Sequence, residues 1–115
     1  MKLQGLTLHT RHFQEYLSFL TEVLDLEVLE MDAGSMKLDL EGAWLEIRAS
    51  QLVPAIPEGK LEFSLGSEEF QALIHKFNFY AYRKLPGHFI LLSFDTKLFE
   101  MSDPDGRTWS ISPAR

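Results

Sequence analysis

Cysteine is missing altogether from the 115 residues. That removes disulfides, thiolate metal sites and a cysteine nucleophile in one step, and it fits a reducing compartment. Long apolar runs are missing too. No stretch approaches the roughly 20 residues that a membrane-spanning helix needs, and the N-terminal MKLQGLTLHT lacks the unbroken apolar core of a secretory leader. Positive charge is scarce and scattered: 11 Lys and Arg stand against 17 Asp and Glu, for a net charge of −6. This is the wrong sign for tracking a phosphate backbone, so no nucleic-acid partner is expected. There is no Gly-rich phosphate loop and no nucleophile elbow. The expectation is one cytoplasmic domain with neither a membrane nor a nucleic acid as partner.

What the chain does contain is apolar and aromatic. Hydrophobic residues make up 45%, including 9 Phe, which suffices for a single core. LQGLTLHT (3–10) alternates in polarity and reads as a half-buried strand. Phe13, Tyr16, Leu17, Leu20 and Leu24 recur at helical spacing, so a helix is expected from about Arg11 to Leu24. Three strands follow at Leu26–Met31, Met36–Leu40 and Ala43–Ala49, parted by turns at Asp32–Ser35 and Glu41-Gly42. QLVPAIPEG (51–59) carries two prolines and reads as a linker. KLEFSL (60–65) alternates again. Ser67 then caps a helix with the stripe Phe70, Leu73, Ile74 and Phe77. Further strands are expected at Phe79–Arg83, His88–Phe94, Leu98–Ser102 and Arg107–Ser112.

The order is βαβββ, linker, βαβββ, with one strand-like run too many. GAWLEIRAS in the first half aligns with GRTWSISPA in the second, setting Leu45 against Trp109, Glu46 against Ser110 and Ile47 against Ile111. PGHFILLSFDTK (86–97) has no counterpart in this alignment and reads as an insertion. Its apolar run 89–92 suits a covered sheet edge or a dimer contact. The resulting organisation is a single domain, 1–115. Its first module spans about 1–50, its linker 51–59 and its second module about 60–115.

The helix end FLTEVLDLEV (19–28), the repeated βαβββ order and the DPDG turn before the last strand together resemble the vicinal oxygen chelate superfamily. Its members include glyoxalases, extradiol dioxygenases and the fosfomycin- and bleomycin-resistance proteins. The resemblance implies an α+β fold, two βαβββ modules forming one curved mixed sheet around a cavity. Asp25 stands where that helix end usually has Gly, and Asp tolerates a left-handed cap. Metal-dependent members hold a divalent ion with four strand residues, usually His or Glu. Those positions fall here on Gly5, Glu46, Lys60 and Ser110. Of these only Glu46 could ligate in the family's manner, so no metal and no cofactor is expected, and neither metal-dependent glyoxalase nor dioxygenase activity.

Alternation alone places Gly5, Thr7, His9, Trp44, Glu46, Arg48, Lys60, Glu62, Ser64, Thr108, Ser110 and Ser112 on the polar face of their strands. From these the candidate ligand-binding residues are His9, Trp44, Glu46, Arg48, Lys60, Glu62 and Ser110. Lys60 and Glu46 are expected to converge where the ion would sit. They would either neutralise each other or, with Arg48 and a stacking Trp44, bind an anionic or carbonyl-bearing ligand. His9 reads as a polar lining residue or proton carrier. His12, His75 and His88 read as surface residues. The functional expectation is a homodimer that binds a small molecule without metal, as the bleomycin-resistance branch does. A divergent enzyme and a ligand-free interaction module remain as alternatives.

Overall fold

The computed structural model describes residues 1–52, 59–80, 90–94 and 97–114. The first module runs β1 (Gly5–Thr10), α1 (Phe13–Ser18), a π-helical turn (Phe19–Val23), β2 (Val28–Met31), β3 (Ser35–Asp39) and β4 (Trp44–Ala49). The second runs β5 (Lys60–Leu65), α2 (Ser67–Tyr80), β6 (Ile90–Phe94), β7 (Phe99–Ser102) and β8 (Thr108–Pro113). Each module builds its own four-stranded mixed sheet, in the orders β1-β4-β3-β2 and β5-β8-β7-β6. Both are parallel only at their first pair, β1 with β4 and β5 with β8.

The registers match position for position. Gly5 faces Trp44 and Thr7 faces Glu46 in one sheet; Lys60 faces Thr108 and Glu62 faces Ser110 in the other. The alignment of GAWLEIRAS with GRTWSISPA is therefore the correct internal repeat. Two expectations need correction. Phe79 and Tyr80, assigned to a strand over Phe79–Arg83, are the last residues of α2; 81–83 lie outside the described residues. Nor is the run 86–97 an addition to the repeat, since Ile90–Phe94 within it is β6, which occupies the place β2 has in the first sheet. The linker at 53–58 and the side chains of 89–92 lie outside the described residues.

Alternation buries one face of each sheet. Met36, Leu38, Leu45 and Ile47 are at most 1% exposed, as are Phe99, Met101 and Trp109. Each such large side chain contributes about 1.5–3 kcal/mol by leaving water. Both apolar faces share one core with the two helices. Tyr16 and Phe19 of the first module meet Trp109 of the second, with Phe19 edge-on at 5.2 Å, and Trp109 stacks on Phe63 at 4.9 Å.

The expected helix to Leu24 is helical to Val23, but its last turn is wider. Leu24 N–H donates to Phe19 O at 3.1 Å, a bond spanning five residues. The wide turn lets the adjacent Phe19 and Leu20 both point into the core, each fully buried. Asp25 then takes the left-handed conformation, φ 55°, as the helix-end motif required. The expected turns also form. The carboxylate of Asp32 accepts from the backbone N–H of Gly34 and Ser35. At the other turn, Glu41 and Gly42 both have positive φ and Leu40 N–H bonds Ala43 O at 2.7 Å, a two-residue hairpin of the primed type.

The DPDG turn ties the modules together. Asp103 is buried, and its Oδ1 accepts from the backbone N–H of Asp105 and Arg107, both at 2.9 Å. Its Oδ2 accepts from the Tyr16 hydroxyl, from Trp109 Nε1 at 3.1 Å and from Arg107 Nη1 at 3.4 Å. Arg107 Nη2 in turn donates to His9 O at 2.6 Å, and Arg11 N–H to Asp105 Oδ1 at 3.1 Å. The end of β1 and the start of β8 are thus bolted to one carboxylate.

Candidate functional site

The polar face of the first sheet is a row of three residues in register: Thr7, Glu46 and Lys37. Glu46 Oε1 accepts from Thr7 Oγ1 at 3.1 Å and from Arg48 Nε at 2.9 Å. The Arg48 hydrogen bond holds the Glu46 carboxyl below its ordinary range, with Thr7 acting in the same direction. Glu46 is consequently an anion whose charge is already shared. Beside it a hollow of about 240 Å³ is lined by Glu30, Met31, Asp32, Ser35, Lys37 and Glu46.

One strand row away, the Trp44 ring lies directly over Gly5. A Cβ placed on Gly5 would sit 1.9 Å from the ring, so no side chain fits at position 5 while Trp44 holds this pose. Lys37 Nζ lies 4.8 Å from the ring centroid, a cation–π contact on an indole that remains 36% exposed.

In the second sheet the matching row is Glu62, Ser110 and Glu100. Ser110 is buried between its two acidic neighbours. Lys60 Nζ lies 3.7 Å from Glu62 and 3.4 Å from Glu100. The expected Lys60–Glu46 pair is therefore not the arrangement seen: each group finds its partners in its own module. The reason is that strand alternation fixes a residue's face but not the relation of one sheet to the other. His9 is exposed, and the contact it makes with Arg107 is through its backbone carbonyl. His12 is half-buried at the start of α1, His75 is exposed on α2, and His88 lies outside the described residues.

Lys37 and Glu100 were not among the candidates. Both could have been found by extending the alternation to their strands, where Met36 and Leu38 flank Lys37 and Phe99 and Met101 flank Glu100. Among the described residues, no three of the His, Asp and Glu side chains gather where they could hold a metal ion.

Solved structures share this architecture. A glyoxalase-related enzyme from Fulvimarina pelagi superposes with a TM-score of 0.75 at 15% identity, covering 99% of this chain and 88% of its own. Similar too is the fosfomycin resistance protein FosX from Listeria monocytogenes, at TM-score 0.71 and 12% identity over 99% of this chain and 92% of its own. So is the bleomycin resistance determinant encoded on the transposon Tn5, at TM-score 0.67 and 16% identity over 100% and 99%. The chain has the vicinal oxygen chelate fold. At the level of sequence, no family model and no curated protein matches it.

Of the four positions that the resemblance matched to metal ligands, Gly5 is roofed by an indole, Glu46 is bonded by Arg48 and Thr7, Lys60 pairs with Glu62 and Glu100, and Ser110 is buried. No helix among the described residues is long and apolar enough to cross a membrane.

Proposed function

We propose that this protein is a metal-independent small-molecule binder of the vicinal oxygen chelate fold, working in the cytoplasm as a homodimer. The observation that carries this reading is the Trp44 indole seated over Gly5. It takes the space a metal-ligating side chain would need and offers an aromatic surface instead. The remaining donor set does not fit a divalent ion either. One carboxylate, already bonded to a guanidinium, cannot hold such an ion against water, and neither an ammonium nor a neutral hydroxyl replaces the missing anions. The usual lyase or dioxygenase chemistry of metal-bearing relatives therefore has no support in these residues.

The ligand class follows from the same face. A planar ring stacks on Trp44, and a carbonyl or carboxylate reaches Arg48, whose side chain is 57% exposed. His9, Glu46, Lys60, Glu62 and Ser110 complete the lining. The two polar faces belong to separate sheets, so a second copy is the means of bringing the Glu46 face against a Lys60 face.

A thermal-shift screen with aromatic carboxylates tests the binding. Stabilisation that Trp44→Ala and Arg48→Ala each abolish supports it, whereas no hit across the panel favours a ligand-free module. Metal analysis of the purified protein is expected to find no stoichiometric ion; one equivalent of nickel, zinc, manganese or iron overturns the reading. Sedimentation is expected to give a dimer at micromolar concentration.

A further inference from the structure

A second hollow lies on the helix side of the sheets, where the two modules meet. It has a volume of about 630 Å³, well inside the roughly 300–1,000 Å³ typical of small-ligand sites. One wall comes from the first module: the chain leaving the π-helical turn and the β3–β4 hairpin. The other comes from β5, β8 and α2 of the second. Its apolar lining includes Phe63 and Trp109, which stack on each other with ring centroids 4.9 Å apart. Among the described residues, every ionisable group in the lining is acidic: Asp25, Asp39, Glu41 and Glu69. One of these charges is offset by Lys76, whose Nζ is 2.7 Å from Asp25 Oδ1.

We propose that this intermodule cleft binds an aromatic organic cation. The apolar floor takes the rings and the acidic walls take the charge. Anions of the same size are repelled by those walls, so the cleft selects by charge rather than by shape alone. The net charge of −6 acts in the same direction at longer range. The cleft shares no residue with the face that carries Trp44 and Glu46, and this inference does not rest on the function proposed for that face.

Ethidium is a suitable probe, followed by its fluorescence anisotropy on the full chain, with anilinonaphthalene sulfonate as the anionic control. One ethidium per chain is expected to bind saturably, and the anion much more weakly. Replacing the hairpin acids together, Asp39→Asn with Glu41→Gln, should weaken ethidium about tenfold, as should raising the salt from 0.01 to 1 M, which shortens the screening length from about 30 to 3 Å. Ala72→Trp on the exposed wall of α2 should abolish binding by filling the cleft, while Glu46→Gln should leave it unchanged. The proposal falls if ethidium does not saturate, if the anion binds equally, or if binding survives both the Ala72→Trp and the hairpin substitutions in variants that melt as the parent does.

Discussion

Asp103→Ala should be among the most destabilising single substitutions available in this chain, and its cost can be worked from the contacts. The carboxylate is fully buried and accepts from five donors, two backbone and three side-chain. Truncation strands the Tyr16 hydroxyl and Trp109 Nε1, and each orphaned buried donor costs about 1–3 kcal/mol. It also leaves the Arg107 guanidinium, whose side chain is 11% exposed, without its closest carboxylate. Breaking a buried pair in this way costs about 3–5 kcal/mol by itself. These terms overlap because they share one carboxylate, so the expected total is about 4–5 kcal/mol rather than their sum.

Against a typical domain stability of about 5–15 kcal/mol, that loss is a large fraction. Asp103→Asn keeps the shape but turns an amide N–H toward donors, and should cost about 2–3 kcal/mol. Tyr16→Phe removes one bond and leaves four on the carboxylate, for about 1–2 kcal/mol. Urea unfolding of the three variants, with unchanged slopes, measures this series. If Asp103→Ala costs under about 1 kcal/mol, or if Tyr16→Phe costs as much as Asp103→Ala, the carboxylate is not the bolt between modules described above.

Three further outcomes follow from other contacts. Burial, with the Asp103 carboxylate adding to it, holds the Tyr16 phenol well above its usual range. The unfolded chain then sheds a proton near pH 10 that the folded chain keeps, so stability is full below about pH 10 and falls above it by up to about 1.4 kcal/mol per pH unit. Urea midpoints between pH 9 and 11 should show this slope reduced in Tyr16→Phe. Carboxyl NMR should place the Glu46 midpoint below that of an ordinary glutamate, and Arg48→Gln should raise it, because Arg48 is the largest cause of the lowering. Glu41 holds a left-handed φ of 52°, a conformation that costs an ordinary L residue about 1–2 kcal/mol. Glu41→Asn creates the Asn-Gly pair favoured in such hairpins and should raise the melting temperature by several degrees, whereas a lower value would contradict the turn assignment.

Much of the fold was legible because its strands are half-buried. Where one face meets a core, polarity alternates, and β1, β4, β5 and β8 each carry that signature over six residues. The helix-to-strand error at Phe79 arose where the signal is ambiguous. Phe79–Arg83 reads as a short aromatic-rich strand, but Phe79 and Tyr80 follow directly on a helix that already buries Phe70, Leu73 and Phe77. A helix already anchored by three core residues extends more readily than a new strand begins, so packing overrode local β propensity. Mistaking that run for a strand then left Ile90–Phe94 without a place in the repeat.

The site was legible only one strand at a time. Alternation correctly put Glu46 and Lys60 on polar faces, but it carries no information about how one sheet lies against the other, and the pairing expected between them gave way to Arg48 on one side and Glu62 and Glu100 on the other. The glycine at position 5 shows the same limit from the opposite direction. Read in sequence, Gly5 is one of the positions that the resemblance matches to a ligand, left without a side chain. In the fold it is the residue on which Trp44 rests, and any Cβ there collides with the indole. The two positions are therefore coupled: a histidine at 5 needs Trp44 displaced, and displacing Trp44 removes both the Lys37 contact and the stacking surface. A ligating side chain at position 5 would require that exchange, whereas the aromatic binding face proposed above uses Trp44, Lys37 and Arg48 as they stand.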